Sequence, residues 1–319
     1  MTPAPPADEG DHRHLPVLAD AVLELLAPAP GQIVLDCTLG RGGHAERLIA
    51  RIAPGGRFVG LDLDPGNLAY ARHRLEPAAA RADVEMSLVH GDFRDARARL
   101  DELGVGHVDA LLADLGFASS QMDEPDRGFS FTREGPLDMR LDPDQGTTAG
   151  ELVNTLDERE LADLIYQLGE ERLSRRIARK IVERRRESPI QTTSALADLV
   201  RQAYGPRGRR MRIHPATRTF MALRIAVNDE LGALDALLAA LPTLLAPDAR
   251  AAVISFHSLE DRRVKQAFLR YQQQGDARRL TRKPRTAEDE ERDANPRARS
   301  AKLRALQWAS TPATKARPR

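Results

Sequence analysis

The sequence of 319 residues predicts an α/β fold, a Rossmann-like, mostly parallel sheet interrupted by an inserted all-α segment. Three observations predict it. Strand-like apolar runs and amphipathic helical runs alternate from Ala19 to Asp114. A glycine turn, Gly40-Arg41-Gly42-Gly43-His44, closes the first strand, and an acidic pair, Asp62 and Asp64, ends the next apolar run about twenty residues on. After Gln121 the pattern becomes helical alone and only later returns to strands.

In chain order, Ala19 to Leu26 reads as helix, Ile33 to Cys37 as strand and Ala45 to Ile52 as helix. Arg57 to Asp62 is a strand, Leu68 to Leu75 a helix, and Val84 to His90 and Val108 to Leu115 are strands. Such βαβ units build parallel sheets. A loop with Arg127-Gly128-Phe129-Ser130-Phe131 and Gly135-Pro136-Leu137-Asp138-Met139-Arg140 then leads into helices. Leu161, Leu164, Ile165 and Leu168 recur at helical spacing, Leu173, Ile177 and Ile181 continue at spacing four, and Thr193 or Ser194 caps a helix carrying Leu196, Leu199, Val200 and Ala203. One long helix is expected from about Ala216 to Leu241, then a fifth strand from Ala251 to Phe256. The highly charged stretch Ala287 to Asn295 is expected as a mobile loop, and the alternating Lys302 to Ala309 as the last strand. The domain division expected is a disordered tail at 1–13, a discontinuous sheet domain at 14–136 and 216–319, and an inserted helical domain at 137–215.

Chemistry gathers at the carboxyl ends of these strands, where open α/β sheets bind ligands. Gly40, Gly42 and Gly43 let the backbone approach a ligand, the helix beginning near His44 aims its N–H groups there, and Asp62 can hold ribose hydroxyls. Gly40 to Ala45 also satisfies G-x-G-x-x-A, so glycine spacing alone leaves a nicotinamide or flavin dinucleotide open. Asp36 at the tip of the first strand favours a cofactor without phosphate over it. A dinucleotide places its pyrophosphate there, and like charges a few ångströms apart cost several kcal/mol at intermediate dielectric. S-adenosylmethionine carries a sulfonium and an ammonium and no phosphate, so the same carboxylate attracts it. Asp92 is placed to accept from an adenine amine and Phe93 to pack on the adenine face.

Composition narrows the rest. No apolar run reaches the roughly 18 residues needed to span a membrane. The single cysteine, Cys37, excludes an internal disulfide or a multi-cysteine metal site and points to a cytoplasmic setting, with Cys37 itself a core residue. His12 and His14 have no third partner at metal spacing, so no catalytic metal is expected. The net charge of +1 conceals segregation: residues 170–224 hold 15 Lys and Arg against 5 Asp and Glu, and residues 262–319 hold 17 against 6. Most are arginines, which fork onto phosphates and stack on bases, so nucleic acid is the favoured partner.

These blocks together resemble the RsmH family, also called MraW. The likeness runs through His14-Leu15-Pro16-Val17-Leu18, Leu39 to His44, Asp114 to Asp123, Arg127 to Phe131, Gly135 to Arg140, His214 to Phe220, Ser255 to Arg262 and Asn295 to Ser300, almost the whole chain. The resemblance implies an S-adenosylmethionine-dependent methyltransferase sheet with an inserted helical substrate-recognition domain. It implies methylation of the N4 amine of a cytidine in the decoding region of 16S ribosomal RNA, with the small ribosomal subunit as partner. It also implies that the backbone around Gly42, Gly43 and His44 approaches the methionine part, Asp62 holds the ribose, Phe93 lines the adenine, and Asp114 and Gln121 complete the cofactor site. Phe117-Ala118-Ser119-Ser120-Gln121 departs from the family's commoner Val-Ser-Ser-Pro-Gln in its first residue and in the lost proline.

For transfer to an aromatic amine, positioning and acceptors for the N4 hydrogens carry the catalysis. Asp114-Leu115-Gly116-Phe117 retains the acid and the aromatic of the Asp/Asn-Pro-Pro-aromatic motif of amino methyltransferases but neither proline. Asp114 is therefore a candidate for both cofactor and target amine. His257 is the second catalytic candidate, as proton acceptor or base-orienting group, against a structural bond to Ser258 or Asp261. Asp138 and Arg140 are candidates to close over the site, and Arg140, Arg176, Arg179, Arg209, Arg210 and Arg218 are the candidate RNA contacts. A noncatalytic RNA-binding protein on the same fold and a dinucleotide oxidoreductase are the alternatives; the sequence leaves oligomeric state open, a homodimer included.

Overall fold

The computed structural model describes residues 16–117, 121–122, 124–211 and 213–310, without the side chains of 207, 209 and 210. The expected tail at 1–13, the histidines at 12 and 14 and the side chains of Arg209 and Arg210 lie outside the described residues.

Strands β1 (Ile33–Asp36), β2 (Arg57–Asp62), β3 (Glu85–His90), β4 (Val108–Asp114), β5 (Leu245–Ser255), β6 (Ala277–Arg279) and β7 (Lys302–Trp308) form one sheet in the order β3-β2-β1-β4-β5-β7-β6. The first five are parallel, and β7 runs antiparallel to both β5 and β6. The order reverses between β1 and β4, which opens a crevice at their carboxyl ends. Successive strand residues face opposite sides, so Val34, Phe58 and Leu112 pack under helices α1 (Ala19–Leu26), α2 (Gly43–Ile52) and α3 (Pro65–Arg81). Leu35, Val59 and Leu111 pack on the other side against α4 (Ala96–Glu102). Buried on both faces, these strands need no polar alternation, and Cys37 sits within that second layer as an inert core residue.

A third apolar cluster belongs to the helices α5 (Ala149–Thr155), α6 (Glu158–Gly169), α7 (Ser174–Arg185), α8 (Thr193–Tyr204) and α9 (Thr217–Val227). Thr148 and Asp157 start α5 and α6 with reciprocal capping boxes to Glu151 and Glu160. Leu161, Ile165, Ile177 and Ile181 are fully buried at the helical spacing that their sequence shows. The cluster also draws in Phe129, Leu137 and Met139 from the preceding loop and Phe220 and Leu223 from α9.

Several elements differ from expectation. The single helix from Ala216 to Leu241 is two, α9 and α10 (Glu230–Leu244), broken at Asn228 and at Asp229, whose φ is +45°. The apolar spacing runs unbroken through the join, so the break has a tertiary cause. Asn228 donates to the carbonyl of Met139 (2.8 Å) and accepts from the amide of Leu141 (2.7 Å), while α9 packs in the helical cluster and α10 under the sheet. The fifth strand begins at Leu245, directly after α10, and continues into α11 (Ser258–Gln274). The stretch read as a mobile charged loop contains a short helix, α12 (Asp289–Ala294), whose Glu291 accepts from the amide of Leu18 at 2.7 Å, with Ala287 buried in the sheet core. Among the described residues, no helix is long and apolar enough to cross a membrane.

Candidate active site

The glycine turn does the first work at the crevice. Gly42 stands at φ +82°, and a Cβ there meets Leu75 Cδ1 at 2.9 Å, so any side chain would strain the backbone and push on Leu75 of α3. The turn is held by Asp62, whose Oδ2 accepts from the Gly40 amide at 2.7 Å and whose Oδ1 accepts from the Asp64 amide at 2.8 Å. Burial nevertheless lifts the Asp62 carboxyl to about 6.

Asp36, His44 and Asp114 meet where β1 and β4 end. Asp36 is 1% exposed; its Oδ1 accepts from the Thr38 amide at 3.0 Å and its Oδ2 has no partner. Burial raises its carboxyl to about 6 against the pull of His44, with Asp114 and Asp62 adding repulsion. His44 Nε2 lies 3.5 Å from Asp114 Oδ2 without an aligned bond, and Asp114 Oδ1 is buried and unpartnered. Thr38 Oγ1 accepts from the Asp114 amide at 2.6 Å, tying the two strand tips together. Orphaned buried acceptors are costly unless a ligand supplies donors. This set suits the ammonium and sulfonium of S-adenosylmethionine and repels a pyrophosphate.

The wall beside β2 is a latch. Asp64 caps α3 by accepting from the Gly66 amide, and its Oδ2 accepts from Gln121 Nε2 at 2.7 Å and Arg127 Nη1 at 2.6 Å. Burial opposes its charge, but Gln121 and Arg127 outweigh burial and hold the carboxyl below its usual range. Arg127 Nη2 also donates to the carbonyls of Arg140 and Leu141. This anchor was invisible in the sequence, because Asp64 lies more than fifty residues from both Gln121 and Arg127. Phe93 stands half-buried just beyond β3. Asp92, read as an acceptor for an adenine amine, is instead taken by Arg94, whose Nε lies 2.6 Å from Oδ2 and whose Nη1 reaches Asp229 at 3.0 Å.

The acceptor side lies beyond β4 and β5. The Phe117 ring stacks on Phe129 (centroids 5.1 Å, 8° between planes), and the Arg224 guanidinium lies 4.8 Å from the Phe117 centroid. Arg224 forks onto Glu230 at 2.7 and 2.8 Å. His257 Nε2 lies 3.1 Å from Glu260 Oε1. The structural partner is thus neither Ser258, which donates to Glu170, nor Asp261, which pairs with Arg304 and Lys302. Glu230, His257 and Glu260 offer ligand atoms within 4.8 Å of one another, but Arg224 already supplies a cation to both oxygens of Glu230.

The arginines separate into two kinds. Arg140 forks onto Asp138 at 2.9 and 2.8 Å, which makes that pair a structural clamp, and Arg218 donates to the Glu170 carbonyl at 3.2 Å. Arg176 and Arg179 are exposed on α7, Arg179 with Glu158 at 3.6 Å. Among the described residues, Arg172, Arg175 and Arg176 are exposed without a carboxylate partner.

A sheet in this order, with unpartnered carboxylate oxygens on the residues that end β1 and β4, is that of a Rossmann-like methyltransferase that uses S-adenosylmethionine. The family model described as "MraW methylase family" matches residues 11–309, and the chain belongs to that family. It is 50% identical over 305 residues to a protein of Sorangium cellulosum named "Ribosomal RNA small subunit methyltransferase H", covering 96% of this chain and 93% of that one. Proteins of the same name from Acidobacterium capsulatum (49%) and a Synechococcus strain (51%) each match over 298 residues, covering 92% of this chain and 98% and 97% of theirs.

Proposed function

We propose that this chain transfers a methyl group from S-adenosylmethionine to the N4 amine of a cytidine in the decoding region of 16S ribosomal RNA, within the small ribosomal subunit. The observation that carries the substrate is half identity, over more than nine-tenths of both chains, to proteins named for small-subunit ribosomal RNA methylation. The exposed arginines of α7 support it: a helix face bearing uncompensated guanidinium groups suits a phosphate backbone. We take the cluster of α5 to α9 as the recognition domain and Arg176 and Arg179, with Arg209 and Arg210, as its contacts to RNA.

Bound S-adenosylmethionine supplies an electrophilic methyl group on a sulfonium sulfur. The chain supplies placement. Gly42 and Gly43 admit the cofactor's methionine end, Asp36 meets its ammonium, Asp62 the ribose, and Phe93 the adenine. Gln121, drawn to Asp64, lies on the wall closing this space. Asp114 shares the β4 tip with the cofactor and offers a free carboxylate oxygen to an N4 hydrogen, which steadies the amine as positive charge grows on it. His257, at the neighbouring β5 tip, is the group that takes the proton.

Small subunits from a strain lacking the activity test this reading. Incubated with the chain and methyl-labelled S-adenosylmethionine, they acquire one labelled N4-methylcytidine in the decoding region. Absence of label defines a binding protein only, and label on a ring carbon or ribose refutes the amine assignment.

A further inference from the structure

We infer that Glu260 is the positioning residue of His257, fixing the imidazole so that Nδ1 is left as its free basic atom at the strand tips. The inference rests on the reading of His257 as proton acceptor.

Placement comes first. Ile254 pairs with Asp114 across β5 and β4, and the Leu115 amide donates to the Ile254 carbonyl at 3.0 Å. His257 therefore follows β5 at the sheet edge where Asp114 ends β4. Its side chain is 8% exposed, and neither ring nitrogen has an aligned hydrogen bond. A buried imidazole with a carboxylate beside Nε2 and no partner at Nδ1 calls for a function or a ligand at Nδ1.

Glu260 supplies the orientation. It is 2% exposed, and its Oε2 accepts from the amides of Phe256 (2.8 Å) and His257 (3.2 Å), so the chain itself holds the carboxylate in place. Its other oxygen, Oε1, is the one 3.1 Å from Nε2. Burial opposes charge on Glu260, yet His257, the Phe256 amide and Arg224 together keep its carboxyl below the usual range. A carboxylate beside Nε2 selects the tautomer with its proton on Nε2, and the lone pair then resides on Nδ1. The other charged groups at this cluster are Glu230 from α10 and Arg224 from α9, which neutralise each other through their fork, and Glu170 and Arg262 meet beyond Ser258. The uncompensated influence on the ring is that of Glu260.

The step balances as follows. The N4 lone pair forms the N–C bond, the C–S bond breaks with its electrons passing to sulfur, and the N4 proton moves to Nδ1. The products are methylated cytosine, S-adenosylhomocysteine and an imidazolium beside Glu260, which later loses its proton to water.

Kinetics on small subunits test this with Glu260→Gln, Glu260→Asp, His257→Ala and the His257→Ala/Glu260→Gln double variant. Glutamine keeps an oxygen for the Phe256 and His257 amides, so the start of α11 is retained. His257→Ala lowers kcat by about 10². Glu260→Gln lowers kcat about tenfold, leaves KM for S-adenosylmethionine unchanged, and moves the acid limb of the kcat profile to lower pH, because removing a nearby negative charge makes an imidazole less basic. The double variant matches His257→Ala alone, and Glu260→Asp keeps its acid limb closer to wild type than Glu260→Gln does. Unmoved limbs in both Glu260 variants, or an equal loss from Glu260→Gln with and without His257, overturns the positioning role. Full kcat in His257→Ala overturns instead the reading of His257 on which it rests.

Discussion

Replacing Asp36 with Asn separates stability from cofactor binding. In the native chain burial raises this carboxyl from 3.8 to about 6. At roughly 1.4 kcal/mol per unit, the ionised form costs the fold about 3 kcal/mol. The sign follows from the direction of the shift. The native state holds this proton more tightly than the unfolded state, so the favourable contribution is present below pH 4 and is lost as pH rises through about 6. Asparagine stays neutral throughout, keeps an oxygen for the Thr38 amide, and offers N–H groups where Oδ2 has no partner. Without cofactor at pH 7.5, Asp36→Asn is expected to exceed wild type by up to about 3 kcal/mol, which for a chain of this length is a rise in Tm of about 4 °C. Near pH 4 the two converge. Affinity for S-adenosylmethionine moves the other way, falling by about 10- to 100-fold as a charge-assisted contact to the ammonium is lost. Thermal melts at both pH values, with and without ligand, read all of this. A variant less stable than wild type at pH 7.5 without ligand refutes the burial argument.

Because Asp36 and Asp62 both titrate near 6 and a cation favours their ionised forms, binding of S-adenosylmethionine at pH 6 releases protons; calorimetry in buffers of different ionisation enthalpy measures the release, and proton uptake contradicts it. Gly42→Ala combines a positive φ with a 2.9 Å contact to Leu75, so it lowers stability by about 1–2 kcal/mol and weakens cofactor binding, as denaturant melts and titration will show. Asp114→Ala reduces transfer more than cofactor affinity when rate and Kd are compared, and equal losses refute its service to the target amine. Arg176→Glu with Arg179→Glu raises KM for the small subunit without lowering kcat and flattens the salt dependence of RNA binding; an unchanged salt slope removes α7 from the interface.

Most of the sheet was legible because its signals are local. The apolar runs and the glycine turn place β1 to β4 within a residue or so of where they stand, and buried strands of this kind read as continuous hydrophobic stretches. The break between α9 and α10 was not legible, since Phe220, Leu223, Val227, Leu231 and Leu234 keep helical spacing across it while long-range contacts, of Asn228 with Met139 and Leu141 and of Asp229 with Arg94, hold it. Strand β6 spans three residues and carries too little pattern to be seen. The candidate residues Asp36, Gly42, His44, Asp62 and Asp114 could be named because each ends a strand or opens a helix. What each carboxylate pairs with could not be. Arg127 on Asp64 is set by side-chain reach between residues far apart in the chain, while Arg94 on Asp92 and Glu260 beside His257 are near neighbours whose rotamers the sequence does not specify.

The claim beneath the whole account is that the strand tips form an anionic receptor for a cationic cofactor without phosphate. Calorimetric titration of the full chain at pH 7.5 with S-adenosylmethionine, S-adenosylhomocysteine and a nicotinamide dinucleotide tests it directly. Binding of the first two and none of the third is the predicted result; a dinucleotide that binds and is displaced by neither sulfur ligand contradicts it.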